Sequence, residues 1–193
     1  ASSCAVEIIL KSIQESKKTG IPEILTDAIR EANGVLERLA GQDERLYGMG
    51  TTVVAACIEG ETLITANVGD SRLYVVNGGI RQITEDHSLV QEMVRVGGIN
   101  REEARIHPNK NIITRAVGLE ENLKVDCFEK DLAPGNLVLL CSDGLTDMLE
   151  DTEIYRILTE EEGVREGAKA LIQAANDNGG RDNIAVIVVD PFA

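Results

Sequence analysis

The hydrophobic period of the chain changes near residue 50, and this change constrains the fold more than any other feature of the sequence. Before it, two stretches carry apolar residues at the spacing of a helix that packs one face on a core. After it come two runs rich in β-branched residues, TTVVAACI and ETLITANV, with Glu59-Gly60 between them. Such runs around a short glycine turn predict a β-hairpin. Helices followed by strands are typical of an α+β domain.

The two N-terminal helices are predicted from their apolar stripes. In the first, the residues predicted to face the core are Val6, Ile9, Leu10 and Ile13. Pro22 suits the first turn of the second helix, and Gly41 marks its expected end. The stripe of the second helix consists of Ile24, Leu25, Ala28, Ile29, Leu36 and Leu39.

The remaining chain predicts antiparallel strands and a second group of helices. Asn77-Gly78 is a hairpin signal, so the middle of the chain is predicted to be an antiparallel meander. From DHSLVQEMVRVGG to HPNKN the hydrophobic periodicity weakens, which predicts a short helix and a surface loop. Strands are predicted at LKVDCFEKDL and NLVLLCS, followed by two helices over roughly 144–177 and a last strand, NIAVIVVD.

Composition excludes several function classes. The formal net charge of -14 and the pI near 4.6 would repel a nucleic-acid backbone or an anionic membrane. This acidity suits a soluble protein, or one that collects divalent cations. The apolar runs are too short to span a bilayer. The four cysteines form no C-x-x-C pair, which disfavours zinc and disulfide frameworks and predicts reduced thiols in a cytoplasmic protein.

Three aspartates share one sequence context, at the end of an apolar run. Asp70 follows ITANVG, Asp143 follows LVLLCS, and Asp182 precedes the last strand in GGRDNIAVIVV. If these strands pack together, their ends bring the carboxylates into one pocket, where a divalent cation would remove their repulsion. Oxygen ligands without a Cys or His cluster predict a hard ion, Mg²⁺ or Mn²⁺.

Each aspartate also has a purely structural interpretation. Asp70 could be an ordinary turn residue. Asp143 could cap a helix that starts near Leu145. Asp182 could pair with its neighbour Arg181. From the residues alone, the metal-binding and the structural interpretations both stay open.

Six segments of the chain carry the motifs GMGTTVVAA (48–56), ANVGDSRLYVV (66–76), ITEDHSLV (83–90), NIITRAVG (111–118), LLCSDGLTDML (139–149) and GGRDNIAVIVV (179–189). In this order they resemble the metal-dependent serine/threonine protein phosphatases of the 2C type, and the compact bacterial branch in particular. One GDSR or SDG alone would be a weak signal, but six ordered motifs over essentially the whole chain are specific.

The resemblance implies a four-layer αββα fold, in which two antiparallel sheets form a sandwich flanked by helices. It implies one phosphatase-like domain over 1–193, with 88–111 as a flap, and two or three Mn²⁺ or Mg²⁺ ions in the complete domain. The implied activity is hydrolysis of phosphoserine and phosphothreonine by a metal-activated water. Phosphorylated proteins, the targets of a cognate Ser/Thr kinase, would be the partners of a cytoplasmic monomer, with no nucleic acid or membrane involved.

The same resemblance implies roles for individual residues. Asp143 and Asp182 would be catalytic and would bind one core metal, while Asp70 would help to hold an additional ion. Asn183 would support the loop around Asp182. Gly144 would let the chain turn sharply away after Asp143.

Two histidines lie in or next to the expected flap. The resemblance makes His107 a candidate substrate contact, and an ordinary loop position before Pro108 is the alternative. His87 in the DHS motif is expected to be structural.

Two family motifs have no counterpart in the sequence. One carries a phosphate-binding arginine, and the other, of the DGMGGH type, carries the aspartate that bridges both core metals. Tyr47 in YGMGTT stands where that aspartate would be. We therefore expect an N-terminally incomplete domain, with the missing segment supplied by a longer protein or a second chain, and no full two-metal site from the residues of this chain alone.

Two other function classes stay open. A catalytically incomplete phosphatase-like module could bind or regulate a phosphorylated partner, and metal affinity would separate it from the enzyme. SDGLTD also resembles the DxDGT nucleophile loop of haloacid-dehalogenase-like phosphatases. There, however, Cys141 would occupy the nucleophile position, and the fold would need a parallel sheet.

Overall fold

The computed structural model describes residues 1–193 as two antiparallel sheets covered by helices. The helices are α1 (Ser2–Glu15), α2 (Ile21–Gln42), α3 (Leu89–Arg95), α4 (Arg101–Ile106), α5 (Asp143–Thr146), α6 (Asp151–Glu160) and α7 (Val164–Asp177). The strands are β1 (Val53–Glu59), β2 (Thr62–Val68), β3 (Arg72–Val76), β4 (Ile80–Gln82), β5 (Asp126–Asp131), β6 (Leu137–Cys141) and β7 (Val186–Val189).

The strands divide into a three-stranded sheet, β1-β2-β5, and a four-stranded sheet, β4-β3-β6-β7. Every strand pair is antiparallel, which confirms the predicted sheets and contradicts a haloacid-dehalogenase-like parallel sheet. The predicted continuous meander is wrong, because β2 and β3 lie in different sheets. The chain crosses between them at residues 69–71, where Gly69 has a φ of 105° that favours glycine.

Three buried clusters define four layers. The helices α1 and α2 cover the outer face of the first sheet, and α5, α6 and α7 cover the outer face of the second. Between the sheets, Leu63 of β2 packs with Leu73 and Val75 of β3 and Val138 of β6. The next residue, Ile64, faces the first helical layer instead. Alternate side chains thus enter different cores, and the predicted αββα sandwich is confirmed.

The buried face of α1 differs from the predicted stripe. Ala5 and Ile9 are buried, whereas Val6 and Leu10 are 55% and 56% exposed. A stripe drawn through the largest apolar residues overlooks alanine, although a small residue allows two helices to approach closely. In α2, four residues of the predicted stripe are buried as expected: Leu25, Ala28, Ile29 and Leu36.

Two helix boundaries also differ from the predictions. Helix α2 continues through Gly41 to Gln42, because that glycine adopts no left-handed φ that would end the helix. The region 144–177 contains three helices instead of two, since α5 ends after one turn and α6 begins at Asp151. No helix has both the length and the apolar character required to cross a membrane.

Candidate metal centre and catalytic cleft

Strand register brings Asp70, Asp143 and Asp182 to one end of the second sheet. Arg72, the first residue of β3, lies opposite Cys141, the last residue of β6. Val186, the first residue of β7, lies opposite the same cysteine. Asp70 lies two residues before β3, Asp143 lies two residues after β6, and Asp182 lies four residues before β7. Residues that are far apart in sequence are therefore neighbours in the fold, as predicted from their positions at strand ends.

The loop that carries Asp182 packs directly on the start of α5. The Ser142 hydroxyl donates to the Asn183 carbonyl at 3.1 Å and accepts from the Ala185 N–H at 3.0 Å. A side chain at Gly144 would place its Cβ 2.3 Å from the Asn183 carbonyl oxygen. Glycine is needed here for this close approach. The φ of Gly144 is not positive, so the expected turn after Asp143 does not require a left-handed glycine conformation.

The structure does not support the helix-cap interpretation of Asp143 or the ion-pair interpretation of Asp182, whereas Asp70 does lie at a bend. Asp143 is the first residue of α5, and the N-cap position belongs to Ser142, which has no side-chain capping bond. Asp182 accepts from the Asn183 N–H at 2.6 Å and forms no ion pair with Arg181. Asp70 occupies the crossing between the two sheets and has no side-chain hydrogen bond to another residue.

A cleft of about 820 Å³ opens at this end of the sheet. Asp70 and Asp143 line it, together with residues of β4, α3, α4 and the start of α6. Asp182 is not among its lining residues, and neither is His107. The His107 Nδ1 instead accepts from the Asn109 N–H at 3.1 Å, as in an ordinary loop. The structure thus places two predicted aspartates in the cleft and the third beside Asp143.

The carboxylates repel one another at this end of the fold. Burial, and then the charge of Asp143, raise the pKa of Asp70 to about 6. Burial, and then the charges of Asp182 and Asp147, raise the pKa of Asp143. A bound cation would relieve this repulsion, and the all-oxygen donor set suits Mg²⁺ or Mn²⁺. The donor chemistry therefore fits a hard divalent ion, although no three acidic, His or Cys side chains are already arranged as a metal-binding group.

The raised pKa of Asp70 predicts how stability depends on pH in the presence of a chelator. The folded-state pKa of about 6 lies above the ordinary value of 3.8, so between these values the native state retains a proton that the unfolded chain releases. Stability should therefore fall as pH rises through this window, by about 2 kcal/mol after a reduction for partial exposure. Urea unfolding at pH 4 and pH 7 should show a smaller decrease for Asp70→Asn. Identical decreases in both proteins would contradict this assignment.

Sequence reasoning missed an ion pair in the cleft wall. The Arg72 Nη2 lies 2.6 Å from Asp86 Oδ2, and both side chains are largely buried. Arg72 Nη1 also donates to the Tyr74 hydroxyl at 3.1 Å, which donates to Asp151 Oδ1 at 3.1 Å. This network ties β3 to the start of α6. Its only sequence signal is an arginine and an aspartate fourteen residues apart, in two of the quoted motifs.

Residues 88–111, the segment expected to be a flap, contact the connection between α5 and α6. Lys110 Nζ lies 2.7 Å from Asp147 Oδ2, and Arg105 Nε lies 2.8 Å from Glu150 Oε1. All four residues line the cleft. The segment expected to be a flap therefore contains two short helices, α3 and α4, and is held by ion pairs to the connection after α5.

Comparisons with known proteins identify the family. The Protein phosphatase 2C family model matches residues 1–185. A Serine/threonine phosphatase stp of Listeria welshimeri is 45% identical over 167 residues, which cover 86% of this chain and 66% of the relative. The chain therefore spans just under two thirds of the length of that curated relative.

Solved structures agree with this match. The serine/threonine phosphatase Stp1 from Staphylococcus aureus has a TM-score of 0.95 at 36% identity, covering 100% of this chain and 78% of that one. The catalytic domain of the serine threonine protein phosphatase PstP, in complex with two manganese ions, has a TM-score of 0.87 at 32% identity, with coverages of 98% and 79%. The strand-end aspartates, the αββα sandwich and these matches together show that the chain belongs to the protein phosphatase 2C family.

Proposed function

We propose that this protein is a metal-dependent protein serine/threonine phosphatase that hydrolyses phosphoserine and phosphothreonine in proteins. The observation that carries the proposal is the meeting of Asp70, Asp143 and Asp182 at one end of a 2C-type sandwich, beside a cleft of about 820 Å³. The substrates would be phosphorylated proteins of a cognate Ser/Thr kinase, acted on by a cytoplasmic enzyme that is monomeric when complete.

In this proposal, three aspartates of the chain bind the metal ions. Asp143 and Asp182 would hold one Mn²⁺ or Mg²⁺, and Asp70 would contribute to a further ion. A divalent ion, when bound, supplies Lewis-acid stabilisation of phosphoryl charge and lowers the pKa of water. The complete enzyme would hold two or three such ions, in keeping with the two manganese ions named for PstP. His107 remains a proposed substrate contact only if the flap moves, because it does not line the cleft.

The proposal is tested by release of phosphate from a phosphothreonine peptide, in Mn²⁺ and in excess chelator. We expect Mn²⁺-dependent turnover that Asp143→Asn lowers at least about tenfold, since even indirect supports of metal ligands contribute about 10- to 100-fold. Glu162→Gln is the matched control, because this exposed residue lies outside the cleft. Turnover that persists in chelator, or that Asp143→Asn leaves unchanged, would contradict the proposal.

A phosphatase-like binding or regulatory module is the second candidate. It is favoured by the finding that no three acidic, His or Cys side chains are already arranged around a metal position. A binding module would retain a phosphopeptide without turnover and would show no tight Mn²⁺ binding. Parallel measurements of peptide binding and phosphate release on the same protein separate the two candidates.

A further inference from the structure

His87 is a buried histidine that holds the peptide immediately before Asp70. Its Nδ1 accepts a hydrogen bond from the Gly69 N–H at 3.0 Å. Its own backbone N–H donates to the Gly69 carbonyl at 2.9 Å. The residue is only 6% exposed and does not line the cleft. Both polar groups of Gly69 are therefore bound by one residue that solvent and substrate do not reach.

The far side of the His87 ring is fixed by the neighbouring sheet. Its Nε2 lies 2.9 Å from Asp126 Oδ2 and 3.0 Å from Arg115 Nη1, and that Nη1 also donates to Asp126 Oδ1 at 2.9 Å. Because Nδ1 accepts from an amide, the hydrogen of the neutral ring is on Nε2 and is donated to the carboxylate. Asp126 pairs with Asn67 in the register of β5 and β2. The ring is thus anchored to β5, the strand that pairs with β2 next to Gly69.

Asp126 suits this anchoring role because it is held ionised. Partial burial alone would raise its pKa. Hydrogen bonds from His87 and Arg115 outweigh that effect and lower the pKa of Asp126 below its ordinary value. The acceptor for the His87 Nε2–H is therefore charged at neutral pH, which strengthens the hydrogen bond.

Gly69 transmits this restraint to Asp70. The Asn67 Nδ2 also donates to the Gly69 carbonyl, at 3.3 Å, and a Cβ at Gly69 would lie 2.3 Å from Thr52 Cγ2. Asp70 has no side-chain partner that would set its direction independently. The direction of its carboxylate therefore depends on the backbone at residue 69.

We propose that His87 is a positioning residue for the cation site: by binding both polar groups of Gly69, it fixes where the Asp70 carboxylate points. It acts through Gly69 and contacts neither the cation nor the substrate. The assignment of the cation rests on the function proposed above, but the restraint on Gly69 does not.

Two isosteric variants separate this role from simple packing. In His87→Asn the amide oxygen occupies the place of Nδ1 and keeps an acceptor for the Gly69 N–H, but it loses the contact with Asp126. In His87→Gln the amide reaches the place of Nε2 and keeps a donor for Asp126, but it leaves the Gly69 N–H without an acceptor. Both remove the ring, so a general loss of packing affects both alike.

Two readouts are measured on the full chain. The first is the exchange rate of the Gly69 and Asp70 amide hydrogens by NMR without metal. The second is the Mn²⁺ dissociation constant by calorimetry, with thermal unfolding to verify that each variant is folded. We expect His87→Gln to speed amide exchange and raise the dissociation constant about tenfold or more, because a buried donor is left unpaired. His87→Asn should stay within about threefold of the original protein.

The outcomes are distinguishable. Equal effects of the two variants, or unchanged exchange in His87→Gln, would overturn the positioning role, whatever their thermal stability. If the unaltered protein bound no Mn²⁺, the proposed function would fail. The amide exchange rates would still decide whether His87 positions the residues before and at Asp70.

Discussion

Replacing Arg72 with alanine is expected to lower the free energy of unfolding by about 3 to 5 kcal/mol. The guanidinium is bound to Asp86 through both Nε and Nη2, at 3.0 and 2.6 Å. The Asp86 side chain is only 10% exposed, and its remaining partner is the Gln82 amide at 2.8 Å. Alanine would leave a buried carboxylate without its countercharge, which costs far more than loss of a surface ion pair.

Urea unfolding at neutral pH measures this effect. Arg95→Ala is the matched control, because Arg95 pairs with Glu92 on the exposed surface of α3 and should cost less than about 1 kcal/mol. The double variant Arg72→Met with Asp86→Leu should recover much of the loss, since both charges are then removed together. A cost for Arg72→Ala no larger than that of the control would show that the pair is not buried in solution.

Replacing Gly144 with alanine should be the second large effect, about 1 to 3 kcal/mol. The new Cβ would lie 2.3 Å from the carbonyl oxygen of Asn183 and 2.9 Å from its carbonyl carbon. Both are backbone atoms, so no flexible side chain can move away. The loop around Asp182 must shift from α5, and Mn²⁺ affinity should weaken along with stability.

Thermal unfolding and Mn²⁺ calorimetry on Gly144→Ala measure both effects. Gly41→Ala is the control, because nothing lies within 4 Å of a Cβ at that helical position. It should stabilise the protein by about 0.5 to 1 kcal/mol, as alanine does in helices. A Gly144→Ala protein as stable as the original would contradict the close packing of the two loops.

Local patterns were sufficient to predict most elements of the fold. The turns at Gly60 and Gly78 and the β-branched runs around them depend only on neighbouring residues, and the structure has both hairpins. The positions of Asp70, Asp143 and Asp182 at strand ends were also visible in the sequence. An antiparallel sheet then brings those ends together, which is why three distant motifs could predict neighbouring carboxylates.

What the sequence could not predict depends on contacts between distant segments. No local signal shows that β2 and β3 enter different sheets, because the apolar pattern of a strand does not specify which sheet the strand joins. The buried face of α1 is set by its packing against α2, where Ala5 is buried and Val6 is exposed. The partners of Arg72 and His87 likewise lie on other elements, so their roles appear only after the chain is folded.

Calorimetric titration of Mn²⁺ into the metal-free protein at pH 7 measures whether the strand-end aspartates bind a cation. We predict binding that Asp143→Asn and Asp182→Asn weaken at least about tenfold, while the exposed control Glu162→Gln leaves it unchanged. We also predict that Asp70→Asn weakens binding less than loss of either core ligand. No Mn²⁺ binding, or binding that none of the three aspartate variants affects, would contradict a cation site at the strand ends.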